Sequence, residues 1–427
     1  MSESKNLSIS SPVFQKLLKP LYECMLKASH TRSCIETSDK EWVETGILRV
    51  LSEASSGRDF LQKLFLLGKE MSVANFFSNL RSSRRLFYLK DILALLLNVL
   101  KQERETMDPL KEYEELNKFQ VFAADGHYHS HACHDPKIDG SHWATQHFYA
   151  LNYRSFGLSH FALAEIGNDV KKESDLKACK KKNIIEMRQG AGKGLKTLYV
   201  WDKAIIDYKF WAEMKRNSVY FLTLCKSNLL FNKKEDLEFD KSDPINKGIL
   251  LDQILFSKTD GVPVRKISYQ CPVSGKFFNF LTNLHQKIRP GVVAMLYKMR
   301  WDIEKVFDEI KNQLKEKKSW STHRNGKSAQ AHFICLTHNL LRLFEDQLEN
   351  EGVVNKQDPK RREERLTKAI KKRGGKLNDV PHLLKLTKRL VQRSSIMLRW
   401  LKQYLSFSIP WEQAVMLLKA CYLEFSR

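Results

Sequence analysis

YKMRWDIEKVFDEIK, residues 297–311, has the spacing of an amphipathic helix, and the placement of its polar residues governs how the whole chain is read. At about 100° per residue, steps of three, four and seven return to nearly the same azimuth. Tyr297, Arg300, Glu304 and Lys311 therefore form a stripe roughly 60° wide. An apolar stripe of Ile303, Phe307, Ile310 and Leu314 lies roughly 80° further round the cylinder. The helix should bury one face and present the polar stripe along its edge. Taken alone, such a stripe reads as a solvated flank with helix-spaced ion pairs.

Working back along the chain, this helix opens at RPGVVAMLYKMRW, where Pro290 suits the first turn. Before it, residues 227–288 read as an insertion. In it KKEDLEFDKSDPINKG is polar and loop-like, and RKISYQ and KFFNFLTNL have strand character. Earlier still, FQVFAAD (119–125), HFYALNYRS (147–155) and HFALAEIG (160–167) predict three consecutive strands. DLKACKKKNIIEMRQ (175–189) predicts a basic helix. TLYVWDKA (197–204), DYKFWAEMKRN (207–217) and VYFLTLCK (219–226) predict strand, helix and strand. The order describes a mixed α/β sheet with helices on its faces. Residues 1–115 read as helices and could form a separate domain. Residues 116–350 hold the sheet, its insertion and a further helix, SAQAHFICLTHNLLRLFEDQLE (328–349). Residues 351–427 read as a basic helical region.

The chain of 427 residues is 42% hydrophobic, enough for a sizeable core. No signal peptide is visible, and ILALLLNVL (92–100) is about half of a membrane span, so the expectation is a soluble, cytoplasmic protein. Eight scattered cysteines without a CxxC pair fit reduced thiols. The formal charge of +23 predicts a polyanionic partner, since basic groups meeting phosphates release counterions. The excess is concentrated toward the end, with KRREERLTKAIKKRGGK at 360–376.

Two aspartates stand where predicted strands run out: Asp125 after FQVFAA and Asp202 after LYVW. Ligand sites of α/β sheets collect there. Singly, each reads as a turn or N-cap aspartate. With Glu304 they supply three carboxylates from distant parts of the chain, a donor set suited to Mg²⁺ or Mn²⁺. Two such ions can activate a water or a 3′-hydroxyl and stabilise the leaving oxygen of a phosphodiester.

Tyr297, two residues, Arg300, three residues, Glu304, six residues, Lys311 resembles the Y-R-E-K signature of bacterial DDE transposases of the insertion-sequence-four family. The flanking LTNL (281–284) and RWDIEKVFDEIK also look like that family, and the resemblance spans roughly residues 115–345. It implies a ribonuclease-H-like core with a β-rich insertion before the glutamate helix. It further implies Asp125, Asp202 and Glu304 as catalytic, metal-holding carboxylates, with two Mg²⁺ or Mn²⁺ ions. Tyr297, Arg300 and Lys311 would contact DNA phosphates. The partners implied are double-stranded DNA, as element ends and target, and a second copy of the chain in a homodimer.

Some features stand outside that pattern. His127 occupies a position where the family usually has a small hydroxyl residue. Asp207 lies five residues after Asp202, but its place before a helix suits an N-cap. No tryptophan occurs between Trp211 and Trp301, so a hairpin route at the DNA ends gains no support. In DGHYHSHACHD, His127, His129, His131, Cys133 and His134 raise zinc. At two-residue spacing three of the histidines share one side of an extended strand and wrap an ion poorly, so polar hairpin residues near DNA are expected. GAGKG (190–194) fails the Walker pattern, which needs Gly and Ser or Thr where Met187 and Gly194 stand. The rival readings are a non-catalytic DNA-binding descendant and a metal-dependent nuclease without strand transfer.

Overall fold

The structure, a computed structural model, describes residues 11–31, 38–66, 73–137, 140–164, 179–180, 182, 184–188, 194–258, 261–271, 274–354, 359–372, 374, 395–405 and 407–425. Five helices come first: α1 (Pro12–Lys27), α2 (Asp39–Leu51), α3 (Gly57–Leu66), α4 (Val73–Leu80) and α5 (Ser83–Glu103). Ser38 and Glu41 form a reciprocal capping box at the start of α2, satisfying two of the orphan N–H groups of a helix end. Ser11 and Ser82 cap α1 and α5 with their hydroxyls alone, accepting from the Phe14 and Arg85 N–H groups.

A three-stranded antiparallel meander follows, β1 (Phe119–His129), β2 (Thr145–Asn152) and β3 (Leu158–Ala164). Strand β4 (Lys196–Val200) lies parallel to β1, and β5 (Val219–Leu224) lies parallel to β4 beyond α6 (Tyr208–Arg216). This 3-2-1-4-5 order is the ribonuclease-H-like arrangement expected. The insertion supplies β6 (Phe231–Asp236), β7 (Ile249–Ser257), β8 (Pro263–Gln270) and β9 (Phe277–Thr282). These extend the same sheet to nine strands, in the order β3-β2-β1-β4-β5-β9-β8-β7-β6. The LTNL segment makes the join: Asn283 Oδ1 accepts from Phe221 N at 2.9 Å, and Thr282 Oγ1 donates to the Phe221 carbonyl at 2.5 Å.

After the insertion come α7 (Pro290–Met299), α8 (Trp301–Asp308), a π-helical turn (Glu309–Gln313), α9 (Arg324–Asn350), α10 (Pro359–Lys371), α11 (Ser395–Tyr404) and α12 (Trp411–Phe425). Residues 190–193 of GAGKG and residues 175–178, 181, 183 and 189 of DLKACKKKNIIEMRQ lie outside the described residues, as does the end of the basic run after Lys372 except Gly374. Within the predicted basic helix, Ile184–Met187 form one helical turn.

Period-two alternation sorts the sheet into two faces. Phe122, Ala124, Phe148, Tyr199, Trp201 and Phe221 pack with Trp211 and Met214 of α6 on one side. Val121, Ala123, Tyr149, Leu151, Leu198 and Val200 face the other, where α7, α8, α9 and the first five helices share one hydrophobic core. The long helix α9 lies inside this core, nearly all of its residues from Ala329 to Asp346 being buried.

Four expectations need correction. Strand β1 does not stop at Asp125 but continues to His129, because β2 goes on pairing with it as far as Thr145. KKED is not loop but the end of β6, an edge strand paired only with β7, where charged side chains are tolerated and discourage further pairing. ILLDQILFS, unassigned from sequence, is β7; its buried Asp252 is held by Arg265 across the β7–β8 pair at 2.8 and 2.5 Å. The helix predicted through residues 290–311 keeps helical backbone but changes winding twice, tightening at Arg300 and widening to a π-helical turn from Glu309.

Candidate active site

Beyond Ala123, which pairs with Val200, β1 and β4 separate. Asp125 and Asp202 each stand two residues past that last pair, so period two aims both toward the α7–α8 side. Residue 125 still pairs with Tyr149 on the β2 side, which holds its backbone extended.

Glu304 comes to this point from the tightened turn between α7 and α8. The Arg300 N–H bonds back to the Tyr297 carbonyl at 3.1 Å, and the Ile303 N–H bonds to the Arg300 carbonyl at 3.1 Å. Both are three-residue steps that tighten the helix locally, a geometry common at functional hinges. Ile303 and Val306 are buried on the sheet side, which fixes the rotation of α8.

Arg300 spans the site. One terminal nitrogen donates to Asp125 Oδ2 and the other to Glu304 Oε1, each at 2.8 Å. Its side chain is only 8% exposed, so the two bonds form where water competes weakly. Burial pushes the Asp125 carboxyl up to about 6; Arg300 and the Gly126 N–H oppose that rise, while Asp202 and Glu304 add to it. Asp125 therefore feels both of the other carboxylates. Tyr297, buried against Phe280, has its hydroxyl pushed up to about 12, chiefly by burial, with Asp202 and Asp125 adding to the rise against Arg300. It stays protonated and keeps a proton to donate.

Lys311, the fourth residue of the stripe, lies in the π-helical turn. The π-helical turn, in which the Leu314 N–H bonds to the Glu309 carbonyl at 2.8 Å, widens the helix before Lys311 can complete the azimuth. Lys311 is exposed, and its charge is felt at His127. Asp207 accepts from Phe210 N at 2.9 Å and caps α6, and it also pairs with Lys180.

The histidine-rich segment divides. His127 and His129 are buried on the inner face of β1, whereas Cys133 and His134 are exposed. This corrects the expectation of polar hairpin residues, since the hairpin begins only after His129. His127, His129, His147, His160 and His332 form a file with ring centroids 5.1 to 5.2 Å apart at each step. It runs from β1 across β2 and β3 to α9, and Phe307 stacks on its first ring at 4.8 Å. His147 and His160 share a 3.2 Å hydrogen bond, while neither ring nitrogen of His129 has a partner among the described residues. Burial holds all five neutral, with His127 pulled down to about 4. The sequence signal was half present: the spacing of His127 and His129 was visible, their pairing with His147 was not.

Oxygen donors of this kind suit a hard divalent cation, and Asp125 and Glu304 already share one cationic partner, the Arg300 guanidinium. The donor chemistry therefore fits Mg²⁺ or Mn²⁺. As they stand, no three His, Cys, Asp or Glu side chains among the described residues are gathered closely enough to hold an ion. At the carboxylates the intervening group is the guanidinium of Arg300.

The profile of the family described as "Transposase DDE domain" matches residues 96–340, which covers β1 to β9 and the helices bearing Arg300 and Glu304. A protein of Sinorhizobium fredii (strain NBRC 101917 / NGR234) named "Putative transposase y4zB" is 28% identical over 151 residues. That alignment spans 34% of this chain and 42% of the relative.

Proposed function

We propose, from the premise that this chain belongs to the transposase DDE domain family, that it cuts DNA at the ends of a mobile element and joins the freed 3′-hydroxyls to target DNA. What supports the reading is one observation above the rest: Arg300 bonds Asp125 and Glu304, 179 residues apart, at 2.8 Å each, just beyond the last β1–β4 pair, where Asp202 also acts on the Asp125 carboxyl. Within the family we assign the chain to the insertion-sequence-four type, on the Tyr297, Arg300, Glu304 and Lys311 spacing. Residues 116–350 would carry the chemistry, and the helical regions 1–115 and 351–427 would recognise the ends. Two copies would hold two ends together.

The three carboxylates would hold two Mg²⁺ or Mn²⁺ ions. Such ions, when bound, polarise the phosphodiester and lower the pKa of an attacking water or 3′-hydroxyl. The chain's own groups bind and orient the DNA. Arg300 presents a planar fork that matches a phosphate in bidentate fashion. Tyr297 can donate its hydroxyl hydrogen to a phosphate oxygen, and the exposed Lys311 adds charge at the rim. The net charge of +23 draws the polyanion toward the protein.

The full-length protein incubated with Mg²⁺ and DNA carrying its own genomic flanks tests the reading. Cleavage at the element ends followed by joining is expected. Glu304→Gln should bind the same DNA and fail to cut it. Bound but uncut DNA from the unaltered protein would establish a non-catalytic descendant, and cut but unjoined DNA a nuclease. Normal cutting by Glu304→Gln would remove Glu304 from the catalytic set.

A further inference from the structure

We infer that Arg300 is a tethered cation that keeps the carboxylates closed to metal until a DNA phosphate draws its guanidinium away. The inference rests on the proposed role of Asp125, Asp202 and Glu304 and adds an order of events to it: DNA first, metal second.

Three features of the structure carry it. First, the guanidinium bonds Asp125 and Glu304 at once, each at 2.8 Å, so it occupies the charge and the oxygen lone pairs that an ion between them would need. A cation on a protein tether competes at a fixed, high effective concentration, unlike a free ion. Second, the side chain is 8% exposed and its guanidinium lies among acids, with Asp202 also acting on the Asp125 carboxyl, so it sits at the point where negative charge gathers. Third, the side chain is held at one end only. Its Nε has no hydrogen-bond partner among the described residues, and its two neighbouring rings, Tyr297 at 5.7 Å and Trp301 at 5.8 Å, are at the far limit of a cation–π contact. Its backbone lies at the tight turn between α7 and α8, where a small change in helix winding re-aims the side chain.

A phosphate offers the same fork–fork geometry as a carboxylate. When one arrives, Arg300 can exchange two carboxylate oxygens for two phosphate oxygens without losing its pairing. Asp125 and Glu304 are then left as bare anions that only a cation can satisfy. Coupling of this kind is reciprocal, so bound metal also strengthens the hold on DNA. A protein built this way does not keep a loaded hydrolytic centre when no DNA is present.

The test is Mn²⁺ binding by the full-length protein without DNA, read by the loss of the free Mn²⁺ electron paramagnetic resonance signal, with no activity measurement. Arg300→Gln should bind Mn²⁺ about tenfold more tightly than the unaltered protein, inside the ~5–150-fold span of ordinary coupling. Arg300→Lys keeps the charge but cannot bridge both carboxylates, so it should fall between the two. Adding a duplex of the element's own flank should tighten Mn²⁺ binding by the unaltered protein and leave Arg300→Gln nearly unchanged. Equal or weaker binding by Arg300→Gln, with circular dichroism showing an intact fold, overturns the inference and makes Arg300 a support for the carboxylates; if that variant does not fold, Arg300→Lys decides by the same comparison. Glu304→Gln and Asp125→Asn, each combined with Arg300→Gln so that the site is open, separate this failure from the other. If both double variants bind Mn²⁺ as tightly as Arg300→Gln alone, the carboxylate assignment itself is wrong.

Discussion

Asp125 on β1 and Asp202 just past the end of β4 each lie two residues beyond the paired positions Ala123 and Val200 of a parallel ladder, and Asp202 acts on the Asp125 carboxyl. Neighbouring strands are about 4.8 Å apart, so parallel register alone brings two acids from distant segments within reach of a shared partner. Asp207, five residues on, is committed elsewhere as the cap of α6.

That difference makes the two aspartates separable by mutation. Asp202→Asn should leave the fold intact and abolish DNA cutting. Asp207→Ala should retain cutting and lower stability by about 1 kcal/mol, the usual cost of a lost N-cap. Urea unfolding together with the end-cleavage assay distinguishes them. The opposite pattern would exchange their roles.

Gly291 is a second sensitive point, far from the carboxylates. A Cβ there would lie 1.8 Å from the Ile245 carbonyl oxygen, and the Gly291 N–H already bonds Asn246 Oδ1 at 3.0 Å. Backbone cannot yield as a flexible side chain would, so Gly291→Ala must displace the start of α7 or the 243–247 turn. A loss of about 2–4 kcal/mol in urea unfolding is expected, within the range of severe single substitutions. Cutting should fall as well, because α7 leads directly to Arg300. A variant with unaltered stability would show that this contact is loose.

The buried imidazoles give stability a pH dependence whose sign can be worked out. His129, His147, His160 and His332 are held neutral in the folded protein by burial, while the unfolded chain protonates them near pH 6.5. The unfolded state then binds more protons, so stability falls as pH drops through 6.5. Lys182, Lys90 and Lys327 lie near enough to deepen the effect. Glu316 works the other way: burial raises it to about 7 despite bonds from Trp320 and Gln330, so it gains a proton on folding between about pH 7 and 4.5. Four groups outweigh one, and the limiting slope is about 4 kcal/mol per pH unit. Urea midpoints at pH 7.5, 6.5 and 5.5 should fall steeply, and His129→Phe should flatten the fall. A rising midpoint on acidification would show that the file takes up protons while folded.

Much of this protein was legible in its residues because the relevant signals are local. Alternation over three to eight residues marked β1 to β5, and the Tyr297 to Lys311 spacing marked the glutamate helix and picked out Arg300 beside it. Two-residue steps even put Asp125 and His127 on the same side of one strand. Tertiary structure decided what depends on partners distant in the chain. The parallel register joined Asp125 to Asp202, the antiparallel one joined His127 to His147, and pairing made strands of KKED and ILLDQILFS. The changes of winding at Arg300 and Glu309 belong to this second group, since each sets the helix against a packed sheet and no pattern of side chains announces it. Periodicity reports which way a residue faces; what it meets there is settled by contacts between separate segments of the chain, and at this site the thing met is Arg300 between two acids.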